Sequence, residues 1–253
     1  MSYIAVADTD IGNTKKTNQD SLLVKHAIIN NHEVLMAVIC DGMGGLSKGE
    51  VASATVIKRF DNWFNNELVF EMNNPALNII GAKWALMLKD INTKMYIYGE
   101  KYKIQLGTTF TGALFVDNNY LVVHVGDSRF YEIDLSVRQL TEDHTFVARE
   151  IKRGNMTVEQ AKRDKRRNML IQCVGASDNV EPQVFTGKTI RGTYLICSDG
   201  FRHEISENEM YESLNYLNSA NKEVMQSNLR YLIETVKQRR ERDNVSAILV
   251  KTE

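Results

Sequence analysis

The chain has 253 residues, a formal net charge of −1 at pH 7, a hydrophobic content of 43% and a charged content of 25%. This composition is typical of a globular protein that buries its own core, and the absence of a global basic field argues against a nucleic-acid partner. No apolar run approaches the roughly 18–20 residues that span a bilayer, and the N-terminus lacks the pattern of a signal peptide. We therefore expect one cytoplasmic domain over residues 1–253, with no membrane partner and with Cys40, Cys173 and Cys197 as free buried thiols.

The first third of the chain predicts three short strands. Residues 4–7 and 21–24 have strand composition, and they flank a polar block at residues 15–20. Residues 34–40 form a longer apolar run that ends abruptly in Asp41 and is followed by three glycines within four residues. This pattern places a carboxylate at the end of a buried strand, where the backbone can bend and approach a ligand closely. A charge in such a place is usually paired or bound to a metal.

Two long helices are predicted next. Ser47 and Glu50 have the spacing of a capping box, so we expect a helix to begin there. The apolar residues Val56, Phe60 and Trp63 then recur at helical spacing. A similar repeat predicts a second helix over about residues 75–101. These aromatic and methionine stripes are interpreted as core.

Strand texture returns at residues 108–116 and 120–125, which predict a hairpin with a short loop. Residues 126–129 (GDSR) interrupt the second strand, and residues 130–133 resume the strand pattern. Apolar strand, glycine and aspartate therefore occur here in sequence, so that Asp127 repeats the pattern seen at Asp41.

Residues 149–168 are polar and helical in texture, with a capping-box spacing at residues 157–160. Eight basic side chains stand against three acidic ones: Arg149, Lys152, Arg153, Lys162, Arg163, Lys165, Arg166 and Arg167 against Glu150, Glu159 and Asp164. A solvated helical face and a basic flap over an anionic substrate are both compatible with this pattern.

The last part of the chain predicts strands at residues 183–185, 193–197 and 245–250, with helices from Ser206 and around residues 225–236. Sequential, hairpin-like strands rather than strictly alternating strands and helices favour an α+β fold with antiparallel sheets and helices layered outside. Asp199 follows one of these strands and Asp243 precedes another.

Four aspartates thus lie at strand boundaries: Asp41, Asp127, Asp199 and Asp243. Converging carboxylates repel one another unless a proton or a cation lies between them. Without a Cys/His cluster, the cation that suits them is Mg²⁺ or Mn²⁺ rather than zinc. Two such ions could clamp a phosphate oxygen and activate water, as in two-metal hydrolysis.

The sequence resembles the metal-dependent serine/threonine protein phosphatases of type 2C in their compact bacterial form, and the matching motifs run in family order over nearly the whole chain. They are NQD at 18–20, DGMGG at 41–45, GE at 49–50, AS at 52–53, GTT at 107–109, GDSR at 126–129, LTEDHT at 140–145, SDG at 198–200 and DN at 243–244. Each motif alone is weakly specific, whereas the ordered set is strongly specific.

The resemblance implies a four-layer α-β-β-α sandwich of two antiparallel sheets flanked by helices, with a metal site at one end and a flap at about residues 145–178. In the family pattern, Asp41 bridges two Mg²⁺ or Mn²⁺ ions and the Gly42 carbonyl binds one of them. Asp199 and Asp243 complete the other site, and Asp20 holds metal-bound waters. Asp127, with Asp199, matches a looser third metal site.

The implied reaction is direct attack on the phosphorus of phosphoserine or phosphothreonine by a hydroxide bridging the two ions, without a phosphoenzyme. The implied partners are phosphorylated proteins, the substrates of a serine/threonine kinase, and the implied state is a monomer. Two positions depart from the pattern. Lys15 stands where the family has an arginine that grips the phosphate, and Gln19 replaces a common glutamate. A catalytically weak relative that binds phosphoproteins, and a phosphoesterase for small molecules, are the alternatives.

Overall fold

The structure is a computed structural model that describes residues 2–43 and 48–253. The strands are β1 (Tyr3–Asp10), β2 (Ser21–Ile29), β3 (His32–Cys40), β4 (Phe110–Val116), β5 (Asn119–Val125), β6 (Arg129–Ile133), β7 (Val137–Gln139), β8 (Gln183–Lys188), β9 (Gly192–Cys197) and β10 (Val245–Thr252). The helices are α1 (Gly49–Asn66), α2 (Leu68–Glu71), α3 (Leu77–Tyr102), α4 (Phe146–Lys152), α5 (Val158–Arg163), α6 (Asp199–Arg202), α7 (Glu207–Leu214) and α8 (Lys222–Gln238).

The strands form two antiparallel five-stranded sheets, in the orders β1-β10-β9-β6-β7 and β2-β3-β4-β5-β8. One apolar cluster contains side chains from both sheets and fills the space between them. A second cluster joins the β2-to-β8 sheet to α1 and α3, and a third joins the other sheet to α7 and α8. The predicted α+β sandwich of four layers is confirmed.

Strand β3 shows why its sequence is a continuous apolar run rather than an alternating one. Its side chains alternate between two buried clusters, so neither face of the strand meets water. Leu35, Ala37 and Ile39 face the other sheet, whereas Val34, Met36, Val38 and Cys40 face the helices. This burial anchors the residue at the end of the strand, Asp41, with little freedom to move.

The aromatic residues of α1 and α3 form the core of the helical layer, as their spacing predicts. The Trp84 ring lies edge-on to the rings of Phe60 and Trp63, at centroid distances of 5.0 and 5.2 Å. Such pairs contribute about 0.5–1.5 kcal/mol beyond the burial of their area. Within the described residues, none of the helices has the length and apolarity that crossing a membrane requires.

Strand β6 lies in a different sheet from β5. The sequence pattern shows only an interruption at residues 126–129, but β5 pairs with β4 and β8, whereas β6 pairs with β7 and β9. The chain therefore crosses between the sheets at Gly126, whose φ of 112° is accessible mainly to glycine. This crossing carries Asp127.

The polar segment at residues 149–168, predicted to be helical in texture, contains the second half of α4 and all of α5. Capping boxes begin α5 at Thr157 and α7 at Ser206, as predicted. The predicted capping residue Ser47 lies outside the described residues. Cys40, Cys173 and Cys197 are free and buried, as expected.

Candidate metal centre

The candidate site lies where strands from both sheets end. In the second sheet, Ser21 pairs with Cys40, so Asp20 and Asp41 stand side by side just beyond β2 and β3. In the first sheet, Cys197 pairs with Ala247, so Asp199 follows β9 at the same end at which Asp243 precedes β10. Strand register therefore brings together residues that are more than 200 positions apart in the chain.

The Asp41 carboxyl is close enough to the other four aspartates to be repelled by all of them. Loss of water around Asp41 raises its pKa well above the usual range, and the charges of Asp20, Asp199, Asp127 and Asp243 raise this pKa further. Five sequence-predicted aspartates thus share one electrostatic environment. A divalent cation is the group that would best neutralise it.

Two threonines of the GTT motif hold the backbone of Asp41 in place. The Asp41 amide donates a hydrogen bond to Thr109 Oγ1 at 2.9 Å, and the Thr109 amide returns one to the Asp41 carbonyl at 2.8 Å. The Thr108 hydroxyl donates a further hydrogen bond to that carbonyl at 2.9 Å. The motif therefore fixes the direction in which the Asp41 side chain leaves the strand.

Gly42 is required because the backbone is crowded at this point. A Cβ atom on Gly42 would lie 2.5 Å from the carbonyl oxygens of both Gln19 and Gly49. The Gly42 amide also donates a hydrogen bond to the Gln19 carbonyl at 3.2 Å. Only glycine lets these three segments meet beside Asp41.

Asn244 connects the N-terminal loop to the site. Its side-chain oxygen accepts a hydrogen bond from the Gln19 amide at 2.9 Å, and its amide nitrogen donates to the carbonyls of Ile11 and Thr17 at 2.9 and 3.3 Å. These bonds hold residues 11–19 against the start of β10. They explain the asparagine of the DN motif, for which the sequence alone indicates no role.

Lys15, on that loop, forms an ion pair with the carboxylate of Asp243. The distance from Lys15 Nζ to Asp243 Oδ1 is 2.7 Å. Burial lowers the pKa of Lys15, but the bond to Asp243 and the charges of Asp41 and Asp199 outweigh this and raise it overall. The Lys15 ammonium therefore acts as a positive charge among the aspartates, a position that its spacing in the sequence does not reveal.

Gln19 contacts a carboxylate outside the aspartate cluster. Its side-chain nitrogen donates a hydrogen bond to Glu50 Oε2 at 3.1 Å. A glutamate at this position would place two carboxylates together.

The residues present fit a site for hard cations. Burial, together with the charges of Asp199 and Asp243, raises the pKa of Asp20 to about 7, and Asp20 Oδ2 has no hydrogen-bond partner in the described part of the chain. An oxygen that is buried without a donor is a natural cation ligand. Burial, with the charge of Asp199 next, also raises the pKa of Asp127 to about 7.

The aspartates surround an open cavity of about 800 Å³. Its walls include Asp41, Asp127, Asp199 and Asp243 on one side and residues 168, 170–173 and 176–179 on the other. Within residues 2–43 and 48–253, no three His, Cys, Asp or Glu side chains form a closed ligand set.

Arg202 belongs to none of the sequence motifs, but it contacts two aspartates at the site. Its Nη2 lies 3.6 Å from Asp127 Oδ2 and 3.8 Å from Asp143 Oδ2, and it donates a hydrogen bond to the Asp127 carbonyl at 3.2 Å. Asp143 in turn receives two hydrogen bonds from Arg129, at 2.9 and 2.7 Å. Arg202 comes four residues after Ser198. It reaches Asp127 because residues 199–202 form the single turn of α6.

Comparisons with known proteins find relatives of this chain by sequence and by structure. A sequence model of the protein phosphatase 2C family matches residues 12–249. The protein phosphatase PhpP of Streptococcus pneumoniae is 30% identical over 206 residues, which cover 80% of each chain. Stp1, a serine/threonine phosphatase from Staphylococcus aureus, superposes with a TM-score of 0.86 at 28% identity, covering 100% of this chain and 96% of the other. The catalytic domain of the phosphatase PstP, solved with 2 manganese ions, has a TM-score of 0.76 at 25% identity, covering 98% and 97%.

Proposed function

We propose a metal-dependent mechanism for this chain, which belongs to the protein phosphatase 2C family and is a serine/threonine protein phosphatase. Its activity depends on two Mn²⁺ or Mg²⁺ ions held by the converging aspartates. The observation that carries the proposal is the convergence of five aspartates: Asp41 is repelled by the other four, and all but Asp20 line one cavity. Because like charges are retained together only where something neutralises them, a cation site explains their placement.

In this proposal the side chains divide the ligand roles as the motifs predict. Asp41 would be a ligand common to the two ions, and the Gly42 carbonyl would be a ligand of one of them. Asp199 and Asp243 serve the other, Asp20 orients water in the site, and Asp127 with Asp199 forms a weaker third site. The ions supply the positive charge that activates water and neutralises the phosphate oxygens. The chain itself holds these ligands rigidly, through the threonine clamp on Asp41 and the crowded backbone at Gly42.

Lys15 is assigned to the substrate phosphate. Its ammonium pairs with Asp243, which lines the cavity, and it has a raised pKa, so it stays charged at neutral pH. Binding of a phosphate group offers it a second anionic partner. Lysine supplies a point charge here and not the two-pronged contact of an arginine.

We further propose that residues 145–178 act as a flap, since residues of this segment line the cavity opposite the aspartates. The substrates are phosphoproteins, and we assign them to a serine/threonine kinase of the same cell. The expectation of a monomer acting in the cytoplasm stays a prediction.

The test is hydrolysis of a phosphothreonine peptide with added Mn²⁺. The activity should be lost with a chelator and in Asp41→Asn, and it should be kept in Asp134→Asn, a matched change on the exposed β6–β7 turn. Activity that persists in both the chelated protein and Asp41→Asn would end the two-metal account.

One observation favours a second candidate, a catalytically weak relative that binds phosphoproteins. The Lys15 ammonium pairs with Asp243, one of the proposed ligands, so a cation must compete with it. Calorimetric binding of Mn²⁺ without turnover of any phosphopeptide would support this candidate. Turnover of free phosphoserine in preference to phosphopeptides would indicate a small-molecule phosphoesterase instead.

A further inference from the structure

A second cavity, of about 550 Å³, lies under the flap beside the aspartate cavity. Flap residues from α4 and α5 form one wall, and residues around Asp143 and Arg202 form the other. Asn168 lines both cavities, and Arg202 lies between Asp127 of the first and Asp143 of the second. The two cavities are therefore direct neighbours.

The lining charges of the two cavities have opposite signs. Among the described residues, no lysine or arginine lines the first cavity, and its five aspartates are Asp41, Asp127, Asp178, Asp199 and Asp243. The second is lined by five cationic side chains, Arg129, Lys152, Lys162, Arg167 and Arg202, against the two carboxylates of Glu142 and Asp143. Without any bound cation, the second cavity is thus the one that attracts an anion.

Four of the eight cations in residues 149–168 form ion pairs with other described residues, and four do not. Lys152 pairs with Glu142 at 2.8 Å, Arg166 pairs with Asp164 at 2.8 Å, and Arg149 and Arg153 share the carboxylate of Glu150. In the part of the chain that the structure describes, the flap cations that form no ion pair are Lys162, Arg163, Lys165 and Arg167.

Two of these four unpaired cations, Lys162 and Arg167, line the second cavity. Both are exposed, so an incoming chain can reach them without unfolding the flap. Val147 and Ile151 line the same cavity and offer apolar contact to the stem of a side chain. Arg163 and Lys165 belong to the same segment and do not line the cavity, so they serve as matched controls.

We propose that the second cavity is a substrate subsite for an anionic side chain that flanks the phosphoserine or phosphothreonine, held by Lys162 and Arg167. The inference rests on the proposed phosphatase function, and it names the class of substrate that this site prefers. Glutamate, aspartate and a second phosphorylated residue share the required charge. With the scissile phosphate in the first cavity, the flanking anion would reach the second past Asn168.

The experiment compares phosphothreonine peptides that carry alanine, glutamate or a second phosphothreonine at successive positions on either side of the scissile residue. At one of these positions we expect the anion to lower KM by roughly threefold to tenfold with kcat unchanged, since exposed charge pairs contribute modestly. This gain, the reduction in KM caused by the anion, should shrink as the salt concentration is raised, because exposed charges are screened. A gain from the phosphate alone would assign the subsite to multiply phosphorylated proteins, and a gain from both anions would assign it to acidic sequences in general.

The double variant Lys162→Ala with Arg167→Ala should lose this gain and keep its KM for the alanine peptide and for p-nitrophenyl phosphate. The control Arg163→Ala with Lys165→Ala should keep the gain. The inference fails when glutamate and second-phosphate peptides show the KM of the alanine peptide at every position, or when both double variants lose the gain equally.

Failure of the proposed function gives different results: hydrolysis that persists with a chelator and in Asp41→Asn refutes the metal dependence and leaves the KM comparison possible, whereas a catalytically weak relative hydrolyses no phosphopeptide. In that case fluorescence anisotropy with the labelled glutamate peptide, lacking phosphate, decides on the subsite. Weaker binding to the Lys162/Arg167 variant than to the Arg163/Lys165 variant supports it, and equal binding refutes it.

Discussion

Replacing Lys15 by glutamine should tighten the binding of Mn²⁺ to this protein. The Lys15 ammonium pairs with Asp243 at 2.7 Å and is also attracted by Asp41 and Asp199. A divalent cation that uses Asp243 must displace this ammonium or share the carboxylate with it. Lys15→Gln removes the competing charge and keeps a polar side chain of similar length.

The magnitude follows from the exposure of the pair. The side chains of Lys15 and Asp243 are 27% and 38% exposed, so the pair is screened by water and contributes up to about 1 kcal/mol. Because about 1.4 kcal/mol corresponds to a tenfold change in a binding constant, the Kd for Mn²⁺ should fall by roughly fivefold. Removing a positive charge beside a divalent cation acts in the same direction.

Isothermal titration calorimetry of Mn²⁺ into the metal-free protein measures this change directly. Lys16→Gln is the matched control, because the neighbouring lysine forms no ion pair in the described ranges and should leave the Kd unchanged. In Lys15→Gln, the KM for a phosphothreonine peptide should also rise, since the proposed contact of Lys15 with the phosphate is lost. An unchanged or weaker affinity of Lys15→Gln for Mn²⁺ would show that the ammonium does not compete for the site.

Three further changes test the geometry around the site. Gly42→Ala should lower the free energy of unfolding by about 1–3 kcal/mol in thermal melts, because its Cβ would meet the carbonyls of Gln19 and Gly49 at 2.5 Å; a wild-type melting temperature would contradict this crowding. Gln19→Glu should cost about 0.5–1 kcal/mol at neutral pH in denaturant unfolding, and less in acid, because it replaces a hydrogen bond to Glu50 with carboxylate repulsion; a loss that is independent of pH would argue against repulsion. Burial, and after it the neighbouring imidazole of His144, lowers the pKa of His124 from 6.5 to about 3. At a pH between these two values, unfolding therefore takes up a proton, and the free energy of unfolding should fall as the pH drops below 6.5. The slope should be steeper than in His124→Asn by up to about 1.4 kcal/mol per pH unit. Equal slopes for the two proteins would show that His124 does not cause the loss.

Some features of this fold are readable from short stretches of the chain. The apolar run before Asp41 predicts a strand that is buried on both faces, and β3 is such a strand. Capping boxes at Thr157 and Ser206 begin helices where the spacing places them. These signals are local, because hydrogen bonds of a cap and the periodicity of a strand involve residues only a few positions apart.

Other features depend on strand order, which the local pattern does not contain. Residues 130–133 continue the pattern of β5, yet they form β6 in the opposite sheet. Similarly, the polar segment at residues 149–168 has the composition of a solvated face, but its fold against Arg202 and Asp143 encloses a cavity. Sequence composition records the charge of such a segment and not which of its charges remain unpaired.

The residues of the site also fall into two groups, those that the sequence indicates and those that only the tertiary structure reveals. In the sequence, the ends of apolar runs mark Asp41, Asp127, Asp199 and Asp243, and only the family resemblance adds Asp20 and Gly42. The contact of Lys15 with Asp243, the support of the N-terminal loop by Asn244 and the position of Arg202 between two cavities emerged only from the tertiary structure. These contacts join residues as far as 233 positions apart, and their distances are determined by sheet register and packing rather than by local sequence.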